Sequence, residues 1–130
     1  MRTEAQLAAH RGRDLEPHAL RIHRNDAPLS GRAVFDADSC QYADAVRPGD
    51  LDAANFDTKD VRTGGDLYLV EALKEGRVVW RGCRRLTRVA DGIAVDQDGR
   101  GDWVTVRNLD EVGWRVAGRI ERVYRPTNKG

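Results

Sequence analysis

Asp66-Leu67-Tyr68-Leu69-Val70-Glu71-Ala72-Leu73-Lys74-Glu75-Gly76-Arg77-Val78-Val79-Trp80-Arg81 is the stretch on which the fold turns. Leu67 to Val70 is an unbroken apolar run, the pattern of a strand covered on both faces. Lys74-Glu75-Gly76 carries hairpin-turn chemistry. Arg77 to Arg81 then reads as the returning strand. Downstream, Ala90-Asp91-Gly92 is a second hairpin turn, followed by the short strand Ile93-Ala94-Val95. Trp103, Thr105 and Arg107 alternate with Val104 and Val106, and residues 114–124 alternate in the same way. Upstream, Thr63-Gly64-Gly65-Asp66 and Arg47-Pro48-Gly49-Asp50 are turns, and Ala33-Val34-Phe35 is a short apolar run.

Closely spaced turn signals, with no long helical pattern beyond residue 15, predict a mostly β domain over residues 32–126. Residues 1–31 form an arm. Within it, residues 4–15 are good helix formers, with Leu7, Ala8 and Leu15 near one face, and Pro17 ends the pattern. Leu20-Arg21-Ile22 alternates as a short strand. Residues 127–130 are a polar tail. One short helix is too little for a helix-turn-helix reader of DNA, which needs two.

The chain has 130 residues, enough for one modest core. A hydrophobic share of 40% with 33% charged residues excludes the disordered class, and no apolar run is long enough to span a membrane as a helix. The N-terminus lacks the apolar stretch of a signal peptide, so a cytoplasmic location is the default expectation. A net charge of +1 gives no global drive toward nucleic acid. Cys40 and Cys83 stand far apart, outside any Cys-x-x-Cys pair, and His10, His18 and His23 all precede them. That spacing does not fit a zinc site, and no metal or cofactor is expected. Reduced, buried thiols are the expectation for a cytoplasmic chain.

Four segments in order carry a family resemblance: residues 33–40 running into Ser39-Cys40; Val46-Arg47-Pro48-Gly49-Asp50-Leu51; Asp60 to Val70; and Val79 to Leu86, leading on to Val116-Ala117-Gly118-Arg119-Ile120. The series resembles the self-cleaving catalytic domain of LexA, UmuD and the phage repressors, over about 95 residues. The resemblance implies a mainly β, signal-peptidase-like twisted sheet or partial barrel. It also implies a Ser-Lys dyad, in which a desolvated neutral lysine takes the serine proton for attack on the chain's own N-terminal arm. Carried over, Ser39 matches the nucleophile, Cys40 replaces the usual methionine, and Gly49-Asp50 and Gly64-Gly65 match turns that shape the site. Arg84, followed by Arg85, stands in the lysine's place.

That departure is chemically decisive. A guanidinium keeps its proton in a protein, so neither Arg84 nor Arg85 can act as general base. Only three lysines occur, Lys59, Lys74 and Lys129, and the nearest, Lys74, lies in a hairpin turn. No Ala-Gly pair, the bond cut in several relatives, precedes Ser39. The resemblance therefore implies a degenerate, non-cleaving regulatory or interaction domain of phage type. It would act by dimerising through residues 114–124 or by binding another protein, without direct contact to nucleic acid. The alternatives are a working UmuD-like autopeptidase and a small β-barrel module for a peptide or nucleic acid.

Plainer roles stand beside these. Ser39 after Asp38 suits a cap. Cys40 beside an arginine suits either a reactive thiolate or an inert buried thiol. Cys83 is expected to face the core opposite Arg84 by strand alternation. The histidines read as solvated surface residues. Arg77, Arg81, Arg84, Arg85 and Arg88 form either a track for phosphates or, more simply, a solvated or ion-paired face. Trp80, Trp103 and Trp114 read as core or interface residues.

Overall fold

The computed structural model of the chain describes residues 28–36, 42 and 45–125. The expected helix at residues 4–15, the short strand at 20–22, the three histidines, Ser39 and Cys40 lie outside the described residues. Seven antiparallel strands form one open sheet: β1 (Arg32–Asp36), β2 (Leu51–Asn55), β3 (Asp66–Lys74), β4 (Arg77–Val89), β5 (Gly92–Asp96), β6 (Trp103–Val106) and β7 (Trp114–Tyr124). The order across the sheet is β1-β2-β7-β3-β4-β5-β6. A 3-10 turn at Leu109–Val112, capped by the Asn108 side chain, leads into β7.

β3 to β6 form a meander of consecutive hairpins. In the β3–β4 turn, Glu75 and Gly76 both take positive φ, 53° and 78°, which matches the twist of a two-residue hairpin. β4 runs to Val89, well beyond the expected Arg81. Gly82 falls inside this strand because a Cβ there would meet the Trp80 ring at 2.3 Å. The indole thus occupies the space a side chain would need.

Alternation explains how β3 is covered on both faces. Leu67 and Leu69 pack with Phe35, Phe56, Cys83 and Ile120. Tyr68, Val70 and Ala72 pack with Trp80, Leu86, Val95 and Trp114. Ala72 has Trp80 as its partner on β4 and Trp114 on β7. Its small side chain lets the two indoles meet, with ring centroids 5.2 Å apart. Trp103 is different, lying 43% exposed on the edge strand β6.

β7, the expected dimer segment, lies inside the sheet. Residues 114–124 are not a sheet edge: β7 pairs with β2 through Tyr124 and with β3 as far as Arg119. The edges are β1 and β6. Dimerisation by edge pairing along the whole of residues 114–124 is therefore ruled out by the register. The glycine in β7 has a packing reason, since a Cβ on Gly118 would sit 2.6 Å from the Asn55 carbonyl and 2.8 Å from Phe56. Among the described residues, no helix is long and apolar enough to cross a membrane.

Candidate functional site

Arg84 lies in the middle of β4, opposite Tyr68 of β3. It is only 6% exposed. Its guanidinium carbon is 4.8 Å from the Trp80 ring centroid and 5.4 Å from that of Tyr42. Nη1 donates to the Cys83 carbonyl at 2.6 Å. Two aromatic faces stabilise a cation between them by interaction with the ring quadrupoles. The site therefore holds a permanent positive charge where the family resemblance calls for a neutral lysine.

Tyr42 does more than stack. Arg85 and Asp96 are partners in the β4–β5 ladder. The Arg85 N–H donates to the Tyr42 hydroxyl at 3.1 Å, and that hydroxyl in turn donates to the Asp96 carbonyl. The phenol is thus spliced into the ladder and satisfies a donor and an acceptor at once. Burial pushes its pKa well above the usual phenol value, so it remains a donor rather than a base. Sequence reasoning did not single out Tyr42. It stands three positions after Ser39, and it packs against Arg84.

Cys83 is a fully buried thiol that packs with Leu69, on the side of β4 away from Leu86, as alternation predicts. Its Sγ is 3.6 Å from Oδ2 of Asp52, which is also fully buried. Burial raises the Asp52 carboxyl from 3.8 to about 6, with Asp50 and Asp36 adding to the rise and the thiol hydrogen bond opposing it. A perturbed carboxyl beside a thiol is the kind of pair that active sites use. Here both groups are closed off from solvent, so no substrate reaches them, and the pair acts in packing. The signal for Asp52 was present in the sequence: it occupies an inward position of the strand that follows the Gly49-Asp50 turn.

Asp50 is structural. Its N–H closes the turn onto the Arg47 carbonyl at 3.1 Å, and its Oδ2 accepts from the Arg47 N–H at 2.8 Å. Arg125 forks onto both carboxylate oxygens, with Nη2 to Oδ2 at 2.9 Å, and holds the carboxyl below its usual pKa. The predicted Gly49-Asp50 turn therefore anchors the chain just beyond β7. Gly64 donates its N–H to the Thr87 hydroxyl at 3.1 Å, tying the turn before β3 to β4.

Four of the five arginines in the row are held by the fold rather than lined up as a track. Arg81 and Arg84 are buried, Arg85 donates to the Gly65 carbonyl, and Arg88 donates to that of Val61. Arg81 and Arg115 flank Glu71 from the neighbouring strands β4 and β7, as its register partners. Arg81 Nε donates to Glu71 Oε2 at 2.9 Å, and Arg115 Nε to Oε1 at 2.7 Å. Glu71 is completely buried. This charged triad crosses the centre of the sheet, and nothing in the order of residues along the chain announces it. Lys74 is remote from Arg84. It lies six residues along β3 from Tyr68, roughly 20 Å at strand rise. Among the described residues, no group of acidic, cysteine or histidine side chains is arranged to hold a metal ion.

Comparison of the chain with protein-family models, with curated proteins and with solved structures gives no match.

Proposed function

We propose that the chain is a regulatory or interaction domain of phage or prophage type on a LexA-like peptidase scaffold that does not cleave itself. The observation that carries the proposal is the clamp on Arg84. A guanidinium held between Tyr42 and Trp80, with its Nη1 on the Cys83 carbonyl, supplies a fixed cation and no base. The neighbouring titratable groups do not replace the base: Tyr42 is held protonated, and Asp52 faces a buried thiol. A domain of this kind acts through binding a partner protein or a second copy of itself. With β7 inside the sheet, such contacts use strand edges or sheet faces.

Intact-mass spectrometry of the pure protein after incubation from about pH 7 to about pH 10 tests the loss of chemistry. One unchanged mass is expected. Two fragments from a cut upstream of Ser39 would overturn it. The scaffold half is tested by a crystal structure: the Ser39 hydroxyl is expected within contact distance of the Arg84 guanidinium, and wide separation would sink the descent from a peptidase site. Sedimentation velocity reads whether the chain is a dimer.

A further inference from the structure

β1 is an edge of the sheet, paired with β2 on one side only. At the start of that ladder Phe56 donates its N–H to the Gly31 carbonyl at 2.7 Å. Gly31 and Phe56 continue the register in which Arg32 faces Asn55 and Ala33 faces Ala54. Hydrogen-bonded and non-hydrogen-bonded pairs alternate along an antiparallel ladder. Ala33 and Phe35 therefore turn their backbone groups toward β2, and Arg32, Val34 and Asp36 turn theirs outward. The side chains of these last three residues are exposed and share one face. Val34, at the centre, is 57% exposed, the highest value for a large apolar residue among the described residues.

The order of charges along this edge is its own complement. Let a second β1 lie antiparallel against the first, with Val34 opposite Val34. Arg32 of each copy then falls opposite Asp36 of the other. In that register the outward backbone groups meet, and opposed residues stand about 5.5 Å apart. Moving the alignment by two residues sets Val34 against a charge. Moving it by four sets Arg32 against Arg32, or Asp36 against Asp36. Opposite charges across a strand pair stabilise it and like charges destabilise it, so one register is favoured. Arg32 uses its Nε to bond Glu121 at 3.1 Å, and its side chain is 70% exposed. A guanidinium has further N–H donors on its terminal nitrogens for a second carboxylate. The other edge, β6, spans Trp103–Val106 and carries no charged residue, so it has no such match.

We propose that β1 binds a second copy of this chain, by antiparallel edge pairing about a two-fold axis at Val34 that joins the two sheets into one. Main-chain hydrogen bonds supply the attachment, as in any strand addition. Two Arg32–Asp36 pairs, one on each side of the Val34 contact, set the register and the choice of partner. The contact is short and falls below the roughly 1,000 Å² of a stable interface, so the dimer is weak and reversible. The inference rests on the reading of the chain as an interaction domain and names a second copy as its partner. Self-association and self-cleavage are measured separately. A chain that neither cleaves nor dimerises overturns this inference alone.

Sedimentation velocity on the full chain, from about 5 μM to about 500 μM, tests it by mass action. A monomer–dimer equilibrium that weakens with added salt is expected. Val34→Pro removes an outward N–H and leaves the β2 ladder whole, so it should weaken association at least about tenfold, with a thermal melt reading that the fold is kept. Arg32→Asp and Asp36→Arg each set like charges opposite one another and should weaken self-association to a similar degree. Mixed in equal amounts, these two variants should recover the dimer, because each then meets its opposite. Thr105→Lys, on the exposed face of β6, should change nothing. A monomer at every concentration, a dimer that survives Val34→Pro, or a mixture of the charge variants that stays monomeric would overturn the proposal. Loss of the dimer on Thr105→Lys would overturn it in favour of the β6 edge.

Discussion

Replacing Asp52 with asparagine is expected to make the protein more stable at neutral pH and to leave it unchanged in acid. Asp52 is fully buried on β2, its Oδ1 has no hydrogen-bond partner, and its Oδ2 accepts from the Cys83 thiol. Its carboxyl is raised from 3.8 to about 6, mainly by burial. The folded state thus binds this proton more tightly than the unfolded state does. Stability from this group is greatest below 3.8 and declines as the pH rises through about 6. The total decline is about 2–3 kcal/mol, from 1.36 kcal/mol per pKa unit. Asparagine has the same shape as the neutral carboxyl and never ionises, so Asp52→Asn removes the decline. Its oxygen can still accept from Cys83, and its NH2 group takes the place of an oxygen that is already unpartnered. Urea melts of both proteins between about pH 3.5 and about pH 8 read the difference directly. It should be near zero at the acid end and grow to about 2–3 kcal/mol in favour of the variant. A constant difference across the range, or a variant weaker at the alkaline end, would refute the assignment of Asp52 as a buried, destabilising charge.

Other substitutions follow from the same geometry. Glu71→Gln leaves Arg81 buried without its counter-charge and should cost about 3–5 kcal/mol in a denaturant melt. Tyr42→Phe removes the hydroxyl between the Arg85 N–H and the Asp96 carbonyl, so a loss of about 1–3 kcal/mol is expected, together with faster exchange of the Arg85 amide hydrogen. Gly118→Ala drives a methyl group toward the Asn55 carbonyl, 2.6 Å away, and should lower stability by about 1–3 kcal/mol, read as a lower Tm. Asp50 has the opposite pH behaviour to Asp52. Arg125 depresses its carboxyl, so its stabilising contribution is present above about 3.8 and fades as the pH falls through the depressed value. Asp50→Asn should flatten the acid limb of the stability profile.

Several strands are plain in the order of residues because their signals are local. β7 spans the expected 114–124, although register shifts against β2 and β3 interrupt its alternation, and the turns at Lys74-Glu75-Gly76 and Ala90-Asp91-Gly92 fall where turn chemistry puts them. The apolar run at Leu67 to Val70 correctly indicated a strand covered on both faces. The sequence predicts the returning strand β4 over Arg77 to Arg81. The structure continues it by filling the glycine's space with an indole and burying Arg84 between rings. The candidate site was legible only in part. An arginine in a lysine's place is visible along the chain. What holds that arginine depends on Tyr42, 42 positions away along the chain.

The sequence by itself therefore determined that the domain is built of strands, where most of them turn, and that position 84 carries a charge that cannot act as a base. Those properties reside in single side chains and in short-range periodicity. Only the tertiary structure decided that β7 lies inside the sheet rather than at its edge, and that Glu71 sits between arginines of two neighbouring strands. Strand order and register set these outcomes. They come from pairing between residues tens of positions apart, and alternation along one strand carries no record of which strand lies beside it.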